Sequence, residues 1–398
     1  MRVLHIFILY IYIFSPHFYF LGGKGVIKLL YPLLLMIFFS QDVRTLIYKN
    51  KKLIFAFLLI ILFAVFRTSF NGDYNYISSS LVALIEIAIL PAILIVLINK
   101  KEDKFLSKLI FTGVIASIIS TLTLLLPGVR VWIINNTVSS DYLQSVFHRG
   151  FGLGESLTYS YSISLAIILM IGLYNIKEYK WVVFFIPAFF IGIMLNARIG
   201  GVIVIVGLLI YFISQNITKS LRIIVPLIII VIIGFKISSF YEIINESQKD
   251  FVLQFWLELK DFILNTNDAK HSTSSALFGR MWVLPETISE WIVGKGKHIY
   301  TEYQNSSDVG FILQLNYGGI IYLILLLNLL VSLFGHFNRK KHSRILVFFI
   351  ITVIISNSKG EFIINSSGFR VLSILALYLS SITTNRYKTD KWIKKLNI

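Results

Sequence analysis

The chain has 398 residues, of which 56% are hydrophobic and 14% are charged, and its mean hydropathy is +0.78. This composition excludes an ordinary soluble domain. The formal net charge of +17 does not indicate nucleic acid as a partner, because the Lys and Arg residues lie between apolar runs and not on one soluble face. Cysteine is absent, which excludes disulfides and thiolate chemistry. We therefore predict an all-α integral membrane protein with a single membrane domain over residues 1–398.

Apolar runs long enough to cross a hydrocarbon core recur along the whole chain. They predict about twelve transmembrane helices, at residues 3–21, 26–40, 53–66, 77–98, 105–126, 156–174, 181–195, 199–214, 221–240, 309–333, 345–358 and 369–384. The first run is interpreted as a retained span and not as a signal peptide, since no small-x-small cleavage site follows it and Pro16 interrupts it. The short runs 26–40 and 345–358 are expected to be tilted, re-entrant or longer than these limits.

The basic residues of the short connecting segments lie mostly on one side of the predicted membrane. That side receives the clusters 44–52, 100–104, 339–344 and 386–395, whereas the short segments of the opposite side carry few Lys or Arg residues. Because short cytoplasmic loops carry the excess of Lys and Arg, both termini are predicted to be cytoplasmic. Most Asp and Glu residues then fall on the external side.

Two predicted external segments, 127–155 and 241–308, are longer than a connection between neighbouring spans requires. Within the second, apolar residues recur at three- and four-residue steps, which predicts an amphipathic helix. These residues are Ile243, Ile244, Phe251, Phe255, Leu259, Phe262 and Ile263. This helix is either an interfacial helix packed on the membrane or a helix that gates lateral entry of a lipid substrate. Function is therefore expected on the external side.

Several external cations lie at or near predicted span ends, against the positive-inside preference. Guanidinium and ammonium groups beside lipid favour a phosphate-bearing membrane substrate, although snorkelling and contact with bulk headgroups remain open. The cations singled out for pyrophosphate binding are Arg149, Arg198, Arg280, Lys359 and Arg370. The glycines of 149–155 do not form a dinucleotide site, since no strand precedes them, and the basic turn 294–297 lacks P-loop spacing.

The ionisable residue best placed to accept a proton is Asp308, at the junction of the long segment with the next span. Glu155 and His298 are the alternative bases, and a helix N-cap is the alternative role for Asp308. No pair of residues has metal-ligand spacing on a helix, and the chain has no Cys, so neither a metal nor a cofactor is predicted.

Several short motifs follow one another between residues 149 and 370: Arg198-Ile-Gly-Gly201, Phe278-Gly-Arg-Met-Trp282, Gly294-Lys-Gly296, Ser307-Asp-Val-Gly-Phe311, Tyr317-Gly-Gly-Ile-Ile321, Lys359-Gly-Glu361 and Arg370. Taken in this order, they resemble those of the bacterial oligosaccharide repeat-unit polymerases (the Wzy type) of O-antigen and capsule synthesis. The related O-antigen ligases typically carry a His where this chain has Asp308, and that departure favours a polymerase over a ligase.

The resemblance implies a glycosyltransferase on the outer face of the cytoplasmic membrane. It would move a growing glycan from undecaprenyl pyrophosphate to a fresh lipid-linked repeat unit, with neither a metal nor a nucleotide sugar. The implied partners are the lipid-linked donor and acceptor, membrane lipid, a flippase and a chain-length regulator. A ligase and a lipid-linked-oligosaccharide flippase are the rival functions. A flippase is disfavoured because Glu86 is the only acid deep within a predicted span and the two halves show no repeat.

Overall fold

The computed structural model describes residues 2–18, 25–71, 74–99, 105–137, 152–154, 158–213, 281–296, 307–335, 339–364 and 366–396. Within these ranges the chain is mostly helical and has no β-strand, only an isolated antiparallel bridge between His17 and Gly25. The described residues are thus compatible with an all-α protein. The chain divides into two compact units, one made of Met1–Lys28 and Leu106–Arg280 and the other of Leu29–Phe105 and Met281–Ile398.

Helices follow one another closely throughout the described ranges. In chain order they are α1 (Arg2–Phe14), a 3₁₀ helix (Val26–Leu35), α2 (Met36–Phe39), α3 (Gln41–Lys49), α4 (Lys51–Asn71), α5 (Asn75–Ala83), a π-helical segment (Leu84–Ile89), α6 (Leu90–Asn99), α7 (Phe105–Leu125), α8 (Pro127–Thr137), α9 (Thr158–Tyr174), α10 (Val182–Asn196), α11 (Arg198–Ile213), α12 (Ile288–Val293), α13 (Gly310–Phe334), α14 (Arg339–Asn357) and α15 (Ser367–Leu396). Helix α8 lies inside the segment 127–155 that was predicted to be a loop.

Four helical stretches of the described residues are long and apolar enough to cross a membrane: Lys51–Phe70, Asn75–Ile98, Phe105–Thr123 and Gly310–Phe334. The bent pair Val26–Phe39 and Gln41–Lys49 adds a fifth if it is one span. The predicted spans at 3–21, 156–174, 181–195, 199–214, 345–358 and 369–384 correspond to shorter apolar helices. The predicted span 221–240 lies outside the described residues.

The first two predicted spans differ from simple membrane helices. Helix α1 ends at Phe14, because Ser15 takes a positive φ of 39° and Pro16 cannot continue the helix, so the predicted helix over 3–21 is too long. The run 26–40 begins as a 3₁₀ helix that contains Pro32, and its helical pair then bends by 96° into α3. This is the geometry of a broken span or a re-entrant loop, one of the forms expected for this run.

The first unit is built around α9, which packs against α10 and α11. Ser162 on α9 lies 2.9 Å from the carbonyl oxygen of Ile193 and 2.7 Å from that of Ala197, at the end of α10. A side chain at Gly200 would collide with Ser162, so this glycine allows α11 to approach α9 closely. The hydroxyl of Tyr161 donates to the carbonyl of Ala116 on α7 at 2.7 Å.

The second unit is built around α13, which packs against α4 and α12 and also contacts α14 and α15. Helix α15 lies against α6 and the π-helical segment, and α3 lies against α6. The first half of α13 is almost wholly buried, from Gly310 to Gly319. Polar residues in that half, Gln314 and Asn316, are as buried as its leucines, which marks this part of the helix as a place where several segments meet.

Candidate functional site

Helix α13 is broken in its middle by Gly319, which has φ 64° and ψ −162°. An L side chain rarely adopts this conformation, and a Cβ at this position would collide with the carbonyl of Ile292 at the end of α12. Such a break removes the usual i+4 partners of the carbonyls that precede it. The kink therefore opens one face of α13 to a neighbouring stretch of backbone.

The basic turn 294–296 occupies this opening. Its backbone N–H groups donate to α13, from Lys295 to the carbonyl of Asn316 at 2.6 Å and from Gly296 to the carbonyl of Tyr317 at 2.8 Å. Gly294 has φ 73°, and a Cβ there would collide with the backbone of Tyr317. The turn therefore acts as an external partner for the carbonyls that the kink leaves unsatisfied.

A buried arginine fastens the same turn from the other side. Arg67, near the end of α4, is 8% exposed, and its Nη2 donates to the carbonyl of Gly294 at 2.8 Å. The side chain of Lys295 points to Glu290 of α12, with its Nζ 3.9 Å from Oε2. Arg67 was not predicted as part of a site, because its partner lies 227 residues away and local pattern could not identify it.

The carboxylate of Asp308 lies at the entrance to α13, beside Lys359. The distance from Asp308 Oδ2 to Lys359 Nζ is 4.0 Å, and the two side chains are 39% and 26% exposed. The helix N-cap position is Val309, one residue after Asp308, and it has no side-chain cap. Ser307 serves the turn instead, accepting from the Val309 N–H at 3.1 Å and donating to the carbonyl of Met281 at 2.7 Å.

The segment 357–361 packs directly on the start of α13. Gln314 and Asn357 form a reciprocal amide pair, with N–O distances of 3.2 and 2.9 Å, and both are buried. The Asn357 side chain also accepts from the N–H of Phe362 at 3.2 Å. Gly310 faces the carbonyl of Gly360 so closely that any side chain there would collide with it. This packing places Lys359 beside Asp308.

Four segments thus meet around the first half of α13. We call them the α13 cluster: residues 294–296, 307–310, 316–319 and 357–361. Asn316 adds a further link, because its Nδ2 donates to the carbonyl of Val283 at 2.8 Å. The cluster brings together four of the motifs that carry the sequence resemblance, although its segments are spread over residues 294–361.

Three tyrosines form an aromatic wall next to the cluster. The rings of Tyr76 and Tyr317 are stacked with centroids 3.3 Å apart, and Tyr322 lies edge-on to Tyr317 at 5.0 Å. The hydroxyl of Tyr76 donates to Glu361 Oε1 at 3.3 Å. All three rings are buried, with 6%, 1% and 4% exposure for Tyr76, Tyr317 and Tyr322, so they belong to the packed interior beside the cluster.

Arg370 lies elsewhere in the second unit, on α15. Its Nη1 donates to Glu86 Oε2 at 2.9 Å, and both residues are buried, with 6% and 8% exposure. The hydroxyl of Tyr31 donates to the other carboxylate oxygen of Glu86 at 3.1 Å. Arg370 was predicted to bind pyrophosphate, but in this structure the anion beside it is the Glu86 carboxylate.

Of the remaining predicted site residues, only Arg198 falls within a described range. It is the first residue of α11 and lies two residues after Asn196. The Nδ2 of Asn196 donates to Ser120 Oγ at 3.0 Å, and its Oδ1 accepts from the N–H of Gly152 at 3.4 Å. The other predicted site residues lie outside the described residues: Arg149, Glu155, Arg280 and His298. The amphipathic helix predicted from residue 243 onwards also lies outside them.

No family model, curated protein or solved structure matches the chain. The chemistry of the α13 cluster is therefore argued from its own residues. Among the described residues no three His, Asp or Glu side chains come together in a way that could hold a metal ion. What the cluster offers is a solvent-accessible carboxylate, Asp308, next to an ammonium group, Lys359, at the start of a membrane-length helix.

Proposed function

We propose that the chain is a glycosyltransferase of the bacterial cytoplasmic membrane that polymerises undecaprenyl-pyrophosphate-linked oligosaccharide repeat units. In this proposal about twelve helices cross the bilayer, both termini are cytoplasmic, and the α13 cluster faces the external side. The product is an O-antigen or a capsular polysaccharide. Residues 1–398 act together as one membrane domain.

The observation that carries the proposal is the meeting of Asp308 and Lys359 in the α13 cluster. Their segments, together with Gly294-Lys-Gly296 and Tyr317-Gly-Gly319, are motifs on which the resemblance to the polymerases rests, and each was identified without reference to the others' position in space. Backbone hydrogen bonds join the turn 294–296 to residues 316–317, and the segment 357–361 packs on Gly310 at the start of the same helix. Their convergence supports a shared site.

The proposed reaction is a glycosyl transfer in which Asp308 acts as general base. Its carboxylate accepts the proton of a hydroxyl on the non-reducing sugar of the acceptor, and that oxygen forms a bond to the anomeric carbon of the donor glycan. The bond from the anomeric carbon to the pyrophosphate oxygen breaks, and the electron pair leaves with undecaprenyl pyrophosphate. Lys359 stabilises the charge that develops on the leaving pyrophosphate.

The other predicted residues keep supporting roles in this proposal. Arg149, Arg198 and Arg280 stay predicted pyrophosphate ligands, and Glu155 and His298 stay the alternative bases. Arg370 is different, since its guanidinium is already paired with Glu86 in the interior. We assign it to holding α15 against the π-helical segment.

The surface glycan of a deletion strain tests the proposed function. Loss of a polymerase leaves a single repeat unit on the acceptor lipid, whereas loss of a ligase removes the glycan from that acceptor altogether. We expect the single-unit pattern, with the full ladder restored by a plasmid copy of the wild-type gene. An unchanged ladder in the deletion strain, or complete loss of the first unit, would contradict the proposal.

A further inference from the structure

A cavity of about 710 Å³ lies away from the α13 cluster, between the bent segment α2–α3, the start of α4 and the second half of α13. Three cations line it, Arg44 on α3 and Lys51 and Lys52 on α4. The rest of its wall is mainly apolar, with Phe55 and Leu58 of α4 continuing from the cations along the helix. The cavity thus has a basic end and an apolar end.

The bend of 96° before α3 places the basic end. Ser40 caps α3 by accepting from the N–H of Val43 at 3.4 Å, and Val43 is buried. Arg44, one residue further round the helix, is exposed and lines the cavity. Helix α3 thus turns its apolar face to the protein and leaves Arg44 on the side that faces the cavity.

Aromatic and aliphatic side chains next to the cavity are unusually exposed. Phe38 and Phe39, just before the bend, are 73% and 85% exposed, and Phe55 in the cavity wall is 60% exposed. On the basic side, Lys51 Nζ lies 5.0 Å from the centre of the Tyr48 ring, which holds this ammonium at the rim. Exposed apolar side chains beside a group of cations suit a ligand that has both acyl chains and an anionic headgroup.

We propose that this cavity binds one acidic phospholipid of the surrounding bilayer. Arg44 and Lys52 bind the phosphate, and the acyl chains run along Phe55 and Leu58. Asn328 of α13 and Ser332, one turn later, also line the cavity and can hydrogen-bond the hydroxyl groups of a glycerol headgroup. The site needs only that the chain lies in a membrane, so it does not depend on the proposed enzymatic function.

The charge and the apolar wall together select this occupant. A free phosphate or a soluble polyol phosphate would meet the cations but would leave the apolar end empty. A zwitterionic lipid would fill the apolar end but would bring its own positive charge to the cations. The carboxylate near this basic end, Asp42, is on the first turn of α3 and is not part of the cavity wall.

Binding of fluorescent phosphatidylglycerol to the purified full-length protein in detergent tests the proposal. Phosphatidylcholine with the same chains and glycerol phosphate without chains are the comparison ligands. We expect clear preference for phosphatidylglycerol over both. Replacing two cations, in Arg44→Gln/Lys52→Gln, should weaken phosphatidylglycerol binding by roughly 10- to 30-fold. The matched control is Lys49→Gln, which removes a charge from the last turn of α3, outside the cavity.

Equal binding of the two lipids, equal loss of binding in the control, or wild-type binding by the double variant would each overturn the proposal. Tight binding of glycerol phosphate alone would also overturn it, because the cavity would then be a phosphate site and not a lipid site. If the double variant does not purify as a folded protein, Arg44→Gln alone should weaken binding about fivefold. This side chain is exposed, so its replacement leaves the packing of α3 intact.

Discussion

Arg370 and Glu86 form a buried ion pair between helices that are far apart in the sequence, with Arg370 Nη1 2.9 Å from Glu86 Oε2. Tyr31 hydrogen-bonds the second oxygen of the same carboxylate at 3.1 Å. Sequence patterns showed Glu86 as an isolated acid deep in a span, which is costly. The ion pair with Arg370 offsets that cost. Through Glu86, the ion pair and the hydrogen bond also connect α15, the π-helical segment and the 3₁₀ helix.

Removing one partner of this pair should destabilise the protein more than removing both. Arg370→Met leaves the Glu86 carboxylate buried without its cation, with an expected loss of about 3–5 kcal/mol of unfolding free energy. The double variant Glu86→Leu/Arg370→Met should recover most of that loss. Thermal unfolding of the purified variants in detergent measures both. If the double variant is no more stable than Arg370→Met, the unpaired Glu86 carboxylate is not the cause of the lost stability.

The kink in α13 should not tolerate a side chain at Gly319. Gly319→Ala places a methyl group against the carbonyl of Ile292 and forces an L residue into φ 64°. We expect the free energy of unfolding to fall by about 1–3 kcal/mol. The turn 294–296 should also be displaced. The control is Gly128→Ala on α8, where a Cβ meets no atom within 4 Å. Equal melting temperatures for the two variants would refute the proposed docking of the turn on the kink.

The guanidinium of Arg67 should keep the turn 294–296 in place. Arg67→Met retains the apolar stem but loses the hydrogen bond to Gly294, which is worth about 1.5–3 kcal/mol for a charged donor. Amide hydrogen exchange of Lys295 and Gly296 should then become faster. Arg344→Met, at an exposed position on α14, is the matched control and should leave this exchange unchanged. Protection of the turn in Arg67→Met at the wild-type level would show that Arg67 does not fasten it.

Apolar runs alone located most of the helices of the described residues. The predicted spans 53–66, 105–126 and 309–333 lie on α4, α7 and α13, because each is a long apolar run between charged or glycine-containing ends. Run length could not show the 96° bend before α3 or the break at Gly319 within α13. The break at Gly319 involves a tertiary partner, because the turn 294–296 hydrogen-bonds to the carbonyls just before it.

The candidate site was predicted only in pieces. Asp308 and Lys359 were chosen separately, one as a base and one as a phosphate ligand, and their proximity of 4.0 Å was not foreseen. Arg67, Tyr76 and Asn357 were not predicted as parts of a site, since each acts through a partner more than forty residues away. A single sequence carries periodicity and local motifs, but it does not state which distant segments share a surface.

Reporter fusions should establish the orientation on which the proposed site depends. Alkaline phosphatase fused near Asp268 should be active, because the segment 241–308 is predicted to be external, although most of it lies outside the described residues. The same enzyme fused after Lys395 should be inactive. The opposite pattern of activities would place the α13 cluster on the cytoplasmic side and exclude the proposed polymerase.

The proposed role of Asp308 as general base is tested most simply by the rate at which Asp308→Asn polymerises purified lipid-linked repeat units in membranes or vesicles. Asn preserves the shape of the side chain but does not accept the proton in the same way, so the rate should fall at least about 100-fold. The partly exposed contact with Lys359 contributes only about 0–1 kcal/mol, so the variant should fold and bind the lipid-linked donor. Asp42→Asn, at an exposed position on α3, is the control and should polymerise normally. Polymer formation by Asp308→Asn at the wild-type rate would show that Asp308 is not the general base. The general base would then be sought at Glu155 or His298.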